Sequence, residues 1–403
     1  MGRLRLREHV IVHIRQKPAA VCSGRTDSYI NYSKEKKTMK KRTLSLVMAA
    51  SMLTMCAVPV SAEEAKDPSE LIVGELHYSV AEDGGFAQAL HTGVVQACEN
   101  LGIDTSTNLL TMEEISEEDP ALIESAVEEL VDSGADIIFG CSTGYAGLLA
   151  ELQEEFPEVV FAQYNNDVYE NIVEFQIRGY EGMFQAGYLC ALMNEGSNEL
   201  GFEASMDDAS VRTAINSFAL GAKYANPDAT VQVVWADSWY DLDIEANNAK
   251  TLIDSGIKYM GMEASSPAVP QTCEENGAFC VGYNVDMEAS APGAVMTSFV
   301  WNWTPIFQDI LQQTADGTID ISADYYEGGE CSSLAEFNSE LVPEDIQEKV
   351  LEVRDQIASG EIVVYAGELK DDKGNVLVAE GETMADEDIL AQDFFVENVK
   401  GGK

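Results

Sequence analysis

Gly140-Cys141-Ser142-Thr143-Gly144 spells G-x-S-x-G, the turn that carries a serine nucleophile when it lies between a strand and a helix. A hydrolase of that kind needs a histidine after the serine to take its proton. The two histidines outside the N-terminal leader, His77 and His91, both precede Ser142. The order serine, acid, histidine is therefore impossible. Ser142 reads instead as part of a glycine-flanked turn that aims backbone N–H groups and a hydroxyl into a cleft.

Other chemistries fare no better. There is no H-E-x-x-H, C-x-x-C or EF-hand loop, and two histidines do not build a typical zinc site, so no metal is expected. Walker A and G-x-G-x-x-G sequences are absent, which leaves a phosphate-bearing cofactor without a loop, and no cofactor is expected. Asp237, Asp241 and Asp243 form the best carboxylate cluster, but Asp241 or Asp243 fits better as a helix N-cap ahead of Ile244.

Aromatic placement is more informative. The four tryptophans, Trp235, Trp239, Trp301 and Trp303, all fall in one quarter of the chain. Trp239 follows a predicted strand and precedes a predicted helix. Phe86, inside Asp83-Gly84-Gly85-Phe86, holds a matching place in the first half, where the glycines allow a tight turn into a helix. Two rings offered from separate lobes would clamp a flat heteroaromatic molecule. Each stacking contact is worth about 1–3 kcal/mol and tolerates different bases. Two of them with a few hydrogen bonds reach roughly −8 kcal/mol, a micromolar affinity. Phe86 also opens the apolar stripe of its helix, and Trp235 fits a strand core; Trp239 stands among Ser238, Tyr240 and Asp241.

The elements that must position these residues alternate regularly. Apolar runs at 71–76, 136–139, 159–162, 200–203, 230–234, 258–262 and 278–282 read as strands. Helical spacing marks 86–101, 121–131, 145–156, 182–193, 209–225, 244–254 and a helix from Pro267. This alternation predicts parallel sheets covered by helices on both faces, in two runs divided near 173–180. Residues 362–366 and 375–379 flank Asp371-Asp372-Lys373-Gly374 and predict a hairpin. Ligands in such sheets bind outside the carboxyl ends of the strands.

Composition narrows the partners. The chain has 403 residues and a formal charge of −46, with 24 Lys and Arg against 70 Asp and Glu. Residues 1–62 hold 12 of the basic residues and 3 acidic ones, so residues 63–403 carry 12 against 67. Nucleic acid and anionic membrane surfaces are poor partners for that surface. Met39-Lys40-Lys41-Arg42 opens a charged segment, 44–58 is apolar, and Val60-Ser61-Ala62 offers a small-x-small cleavage site. That order is a secretory signal peptide, with 1–38 an extension ahead of a start at Met39. Leu53-Thr54-Met55-Cys56 also resembles a lipobox, which would place a lipid on Cys56. Either route puts the protein on the extracellular or periplasmic side of the cytoplasmic membrane. Of the cysteines beyond the leader, Cys273 and Cys280 are spaced so that they could pair, while the rest read as buried thiols.

Several segments occur together in a recognisable order: Val234-Trp235-Ala236-Asp237-Ser238-Trp239-Tyr240-Asp241, Ser265-Ser266-Pro267-Ala268, Gly282-Tyr283-Asn284-Val285-Asp286-Met287 and Thr297-Ser298-Phe299-Val300-Trp301-Asn302-Trp303. With Asp83-Gly84-Gly85-Phe86, this set resembles the BMP (PnrA-like) substrate-binding proteins of ABC transporters, and most closely their purine-binding branch. The resemblance implies an α/β type I periplasmic-binding-protein fold, with two doubly wound lobes joined by a three-crossover hinge. The lobes would be 70–174 with 288–322, and 175–287 with 323–403. It implies Phe86 and Trp239 as the stacking pair, although Phe86 stands where that branch commonly carries tryptophan. Asp83 would be a polar contact beside the base, and Glu263 an acceptor at the base edge. Asn284 and Asp286 fall where relatives contact ribose or the base edge. The function implied is capture of a purine base or nucleoside and its delivery to a permease, without enzymatic activity. A ligand-sensing receptor of the same fold and an extracellular nucleoside-cleaving enzyme are the alternatives.

Overall fold

Short strands, apolar on both faces and separated by amphipathic helices, can only be covered by helices on each side. Two such sheets form. The computed structural model describes residues 65–164, 169 and 171–403; the signal peptide, the lipobox with Cys56 and the start at Met39 lie outside them.

The first lobe runs β1 (Val73–Leu76), α1 (Phe86–Asn100), α2 (Thr105–Asn108), β2 (Leu109–Met112), α3 (Pro120–Asp132), β3 (Ile137–Gly140), α4 (Ala146–Glu155), β4 (Val160–Tyr164) and β5 (Val173–Ile177). The second runs α5 (Gly179–Met193), β6 (Glu199–Ala204), α6 (Ala209–Ala225), β7 (Thr230–Trp235), α7 (Leu242–Asp254), β8 (Tyr259–Glu263), α8 (Ala268–Asn276), β9 (Phe279–Gly282) and β10 (Val295–Trp301). After these come α9 (Thr304–Ala315), β11 (Asp324–Glu327), β12 (Ser332–Leu334), α10 (Glu344–Ala358), β13 (Leu369–Lys370), β14 (Val376–Val378), α11 (Asp386–Leu390) and β15 (Val399–Lys400). The first sheet has the order β11-β5-β4-β3-β1-β2 and the second β12-β10-β9-β8-β6-β7-β15. All pairings within these two sheets are parallel except β10 with β12.

Helix starts are set by their caps. Asp119 accepts from Leu122 N ahead of Pro120, Asp208 from Ser210 N, and Asp241 from both Asp243 N and Ile244 N. In the second lobe α5 and α6 pack backbone to backbone. A Cβ on Gly187 would fall 1.9 Å from Phe218 O, and one on Gly221 1.9 Å from Phe184 O. Only glycine fits at either position.

The chain crosses between the sheets three times: from β5 into α5, from β10 into α9, and from β11 into β12. The crossings are tied together. Arg178 N donates to Glu327 O at 2.7 Å, Asn302 N to Cys331 O at 3.0 Å, and Gly329 N to the buried Glu181 carboxylate at 2.7 Å. Residues 288–301, expected in the first lobe, end in β10, which extends the second sheet beside β9. Trp303, fully buried in the first lobe's core, marks the actual return. β11, expected in the second lobe, pairs with β5 in the first sheet. Its Asp-Tyr-Tyr-Glu sequence has no apolar period to assign it.

The hairpin is shorter than expected. β13 and β14 pair antiparallel around the Asp371 turn, whereas 362–366 forms no strand and contributes Tyr365 to the core. The six described cysteines are buried and free, Cys273 and Cys280 among them.

Candidate ligand-binding cleft

The loop leaving β1 builds one wall. Gly84, at φ 81°, turns the chain, and Asp83 organises the residues beyond it. Its Oδ1 accepts from Gly85 N at 2.8 Å and Gln88 N at 3.2 Å, and its Oδ2 accepts from Ser79 Oγ at 3.1 Å. Asp83 thus fixes the start of α1, where Phe86 is the first residue. The Phe86 ring is half-buried. Tyr164, Trp301 and Trp303 meet it edge-on, with centroids 5.0, 6.0 and 6.2 Å away.

Trp301 ends β10 and carries this aromatic contact into the second lobe. It stacks on Trp303 at 5.8 Å and abuts Phe299 at 4.7 Å. Its Nε1 donates to Asn284 Oδ1 at 2.8 Å, and Asn284 Nδ2 donates to Ser265 Oγ at 3.1 Å. Asn284 is buried and adopts φ 69°, a left-handed conformation that asparagine tolerates. Ser265 in turn touches the first lobe: a Cβ on Gly85 would lie 2.8 Å from its own. Gly85 and Ser265 are therefore a point where the lobes close on each other.

Glu263, the last residue of β8, accepts a hydrogen bond from Ser205 Oγ at the end of β6. Burial pushes its pKa up to about 8; the nearby Asp208 charge adds to that, while hydrogen bonds from Ser205 and Tyr283 oppose it. At neutral pH it is mainly a carboxylic acid. Tyr164, at the end of β4 in the opposite lobe, is pushed up to about 12 by burial, and the charges of Asp208 and Glu263 also act on it.

Trp239 lies in the loop between β7 and α7 and is 53% exposed. Asp237, at φ 55°, turns this loop and pairs with Lys403; Asp241 closes it by capping α7. Trp235 is half-buried, its Nε1 donating to Gly401 O at 2.9 Å. Asp286 is exposed and accepts from Glu288 N at 3.0 Å. Ser142 donates to Glu117, which also accepts from Gly144 N at 3.1 Å.

The structure therefore brings Phe86, Asn284 and, through Tyr283 and Trp301, Glu263 around one aromatic and polar seam. Asp83 and Asp286 are engaged within their own loops, and Ser142 with Glu117 from the loop between β2 and α3. Tyr164, Trp301, Tyr283, Ser205 and Ser265 are further lining residues. Trp301 belongs to a sequence segment already singled out, and Tyr164 had no signal of its own.

Two parallel sheets, three crossings and a seam between strand ends define a type I periplasmic-binding-protein fold. An ABC transporter solute-binding protein of Conexibacter woesei shares it, with a TM-score of 0.61 over 73% of this chain and 98% of that one at 18% identity. Residues 72–368 match the family described as ABC transporter substrate-binding protein PnrA-like (Bmp), and the chain belongs to that family. It is a family of binding proteins. A purine-binding protein of Brucella abortus (strain 2308) is 29% identical over 332 residues, 82% of this chain and 93% of that protein. A Haloferax volcanii protein named for ABC transporter glucose binding is 28% identical over 287 residues, 70% of each chain.

Proposed function

We propose that this protein captures a purine base or nucleoside outside the cytoplasmic membrane and delivers it to an ABC permease. Phe86 and Trp239 stack on the two faces of the heterocycle, and Glu263 reads its edge. The observation that carries this reading is a pair of aromatic side chains, one at the start of α1 and one in the loop after β7: Phe86 is half-buried and Trp239 is 53% exposed. The purine-binding name of the Brucella relative supports the choice of cargo.

Glu263 in its acid form offers one O–H donor and one carbonyl acceptor, a pair that complements a purine edge presenting both a ring nitrogen and an N–H. Asn284 holds Trp301 and Ser265 in place, so its contribution is to shape the wall rather than to spend its amide on the ligand. Asp83 does the same for Phe86 by fixing the turn into α1, and Ser142 holds the β3 turn through Glu117. Asp286 is left on the rim, where ribose would lie. No described helix is long and apolar enough to cross a membrane.

Calorimetry with adenine, guanine, adenosine, inosine and glucose tests the proposal. Micromolar binding of at least one purine, with glucose silent, is the expected result. Binding of glucose alone would transfer the site to a sugar, and silence from all four purines with folded protein would remove the assignment.

A further inference from the structure

Away from that seam, β1 and α1 bring three metal-binding side chains together. Side chains alternate along a strand, so Glu75 and His77 share the face of β1 that turns toward α1. His91 projects from α1 onto the same spot. Its Nδ1 lies 2.5 Å from Glu75 Oε1, which also accepts from Thr111 Oγ1 at 2.7 Å. His77 Nε2 lies 3.1 Å from Glu75 Oε2. One donor atom from each of the three residues falls within 4.8 Å of the others.

Two features separate this cluster from an ordinary buried ion pair. Glu75 and His77 have no exposed side-chain surface, yet Glu75 Oε2 and both ring nitrogens of His77 have no hydrogen-bond partner of good geometry. Buried polar atoms in that state are costly, and two of them, Glu75 Oε2 and His77 Nε2, face each other. The donor set is also chemically specific. Two imidazoles and one carboxylate are the ligands of open tetrahedral zinc sites, in which a fourth position holds water. Donors around a tetrahedral ion at about 2.0–2.1 Å stand roughly 3.3 Å apart, a value that lies between the 2.5 Å shortest contact and the 4.8 Å outer limit of this set.

We propose that Glu75, His77 and His91 form a divalent transition-metal site of the zinc type in the first lobe, between β1 and α1. The ion enters past His91, whose side chain is 22% exposed; Glu82 and Glu113 act on His91 with negative charge that also attracts a cation. Both imidazoles bind in their neutral form, and the proton shared between His91 and Glu75 leaves to solvent. Among first-row ions of this charge, Cu2+ and Zn2+ hold such a site more tightly than Mn2+ or Fe2+. Sequence motifs do not reveal the site because its ligands come from a strand end and a helix that meet only in the fold.

The test uses tag-free, chelator-stripped protein titrated with Co2+, followed by its visible d–d absorption and then by Zn2+ competition. One equivalent of Co2+ is expected to give the bands of a four-coordinate site, and Zn2+ to abolish them. His91→Ala is expected to lose the bands and bind Zn2+ at least tenfold more weakly, and to melt below the stripped wild type because the buried Glu75 carboxylate loses a partner. Thr111→Val, which keeps all three ligands, is expected to retain them. Absence of bands in the wild type overturns the site regardless of how any variant folds. Equal binding by wild type and His91→Ala also overturns it, because the ion then sits elsewhere, for example on the leader histidines.

Discussion

Trp239 is exposed and carries no core packing, so truncating it isolates its contact with cargo. Trp239→Ala is expected to weaken purine binding by about 1–3 kcal/mol, roughly 5- to 150-fold, with an unchanged melting temperature. Phe86→Ala is expected to lower both, because that ring is also wedged against Tyr164 and Trp301. Calorimetry paired with thermal melts separates the two outcomes. Glu263 makes a pH prediction. Its folded pKa of about 8 stands above the ordinary 4.5, so between those values the folded protein holds a proton that the unfolded chain has released. Stability therefore falls as pH rises through that window, and Glu263→Gln is expected to flatten part of the fall. Glu203, also pushed up to about 8, chiefly by burial, and Glu181 and Glu245, likewise raised by burial, contribute to the same fall. A melting temperature with the same pH slope in wild type and variant would refute the assignment. The two stacking candidates were legible because an aromatic residue between a strand and a helix is conspicuous in one dimension. Tyr164 and Ser205 were not, since a tyrosine or serine ending a strand means nothing until the fold brings Phe86 to the one and Glu263 to the other.

At the scale of elements, the start of α1 meets the loop after β8 at Gly85 and Ser265. A methyl group at Gly85 would enter the space of the Ser265 side chain, an overpacking worth about 1–3 kcal/mol. Gly85→Ala is expected to weaken ligand binding and, with ligand present, to leave the protein more open in small-angle scattering. Adding Ser265→Gly should restore both; failure of that rescue would mean the contact does not limit closure. Long amphipathic helices such as α1, α6 and α7 were legible almost to their ends, because their caps and 3.6-residue period agree. The crossings were less legible. β10 continues the apolar pattern of the second lobe without a break, and β11 pairs through its backbone with little apolar character in its side chains. Which sheet a strand joins is decided by long-range hydrogen bonding that no local period records.

Across the whole molecule, charge dominates. Residues 63–403 carry 67 acidic and 12 basic groups, and many of the described basic groups already sit in ion pairs. The remaining carboxylates repel one another in the compact state. Raising NaCl from about 0.01 to 0.3 M shortens the Debye length severalfold and is expected to raise the melting temperature; a flat response would show that the repulsion is already relieved. The acidity of residues 63–403 was plain from composition, whereas the convergence of two histidines on Glu75 was not. The six sheltered, unpaired cysteines give the molecule one more property. An alkylating dye will find none of them while the described region stays folded, so its rate of incorporation becomes a clock for unfolding. Within residues 65–403 the same silence leaves a clean background for a single maleimide label introduced on the rim, from which cargo capture is read as fluorescence.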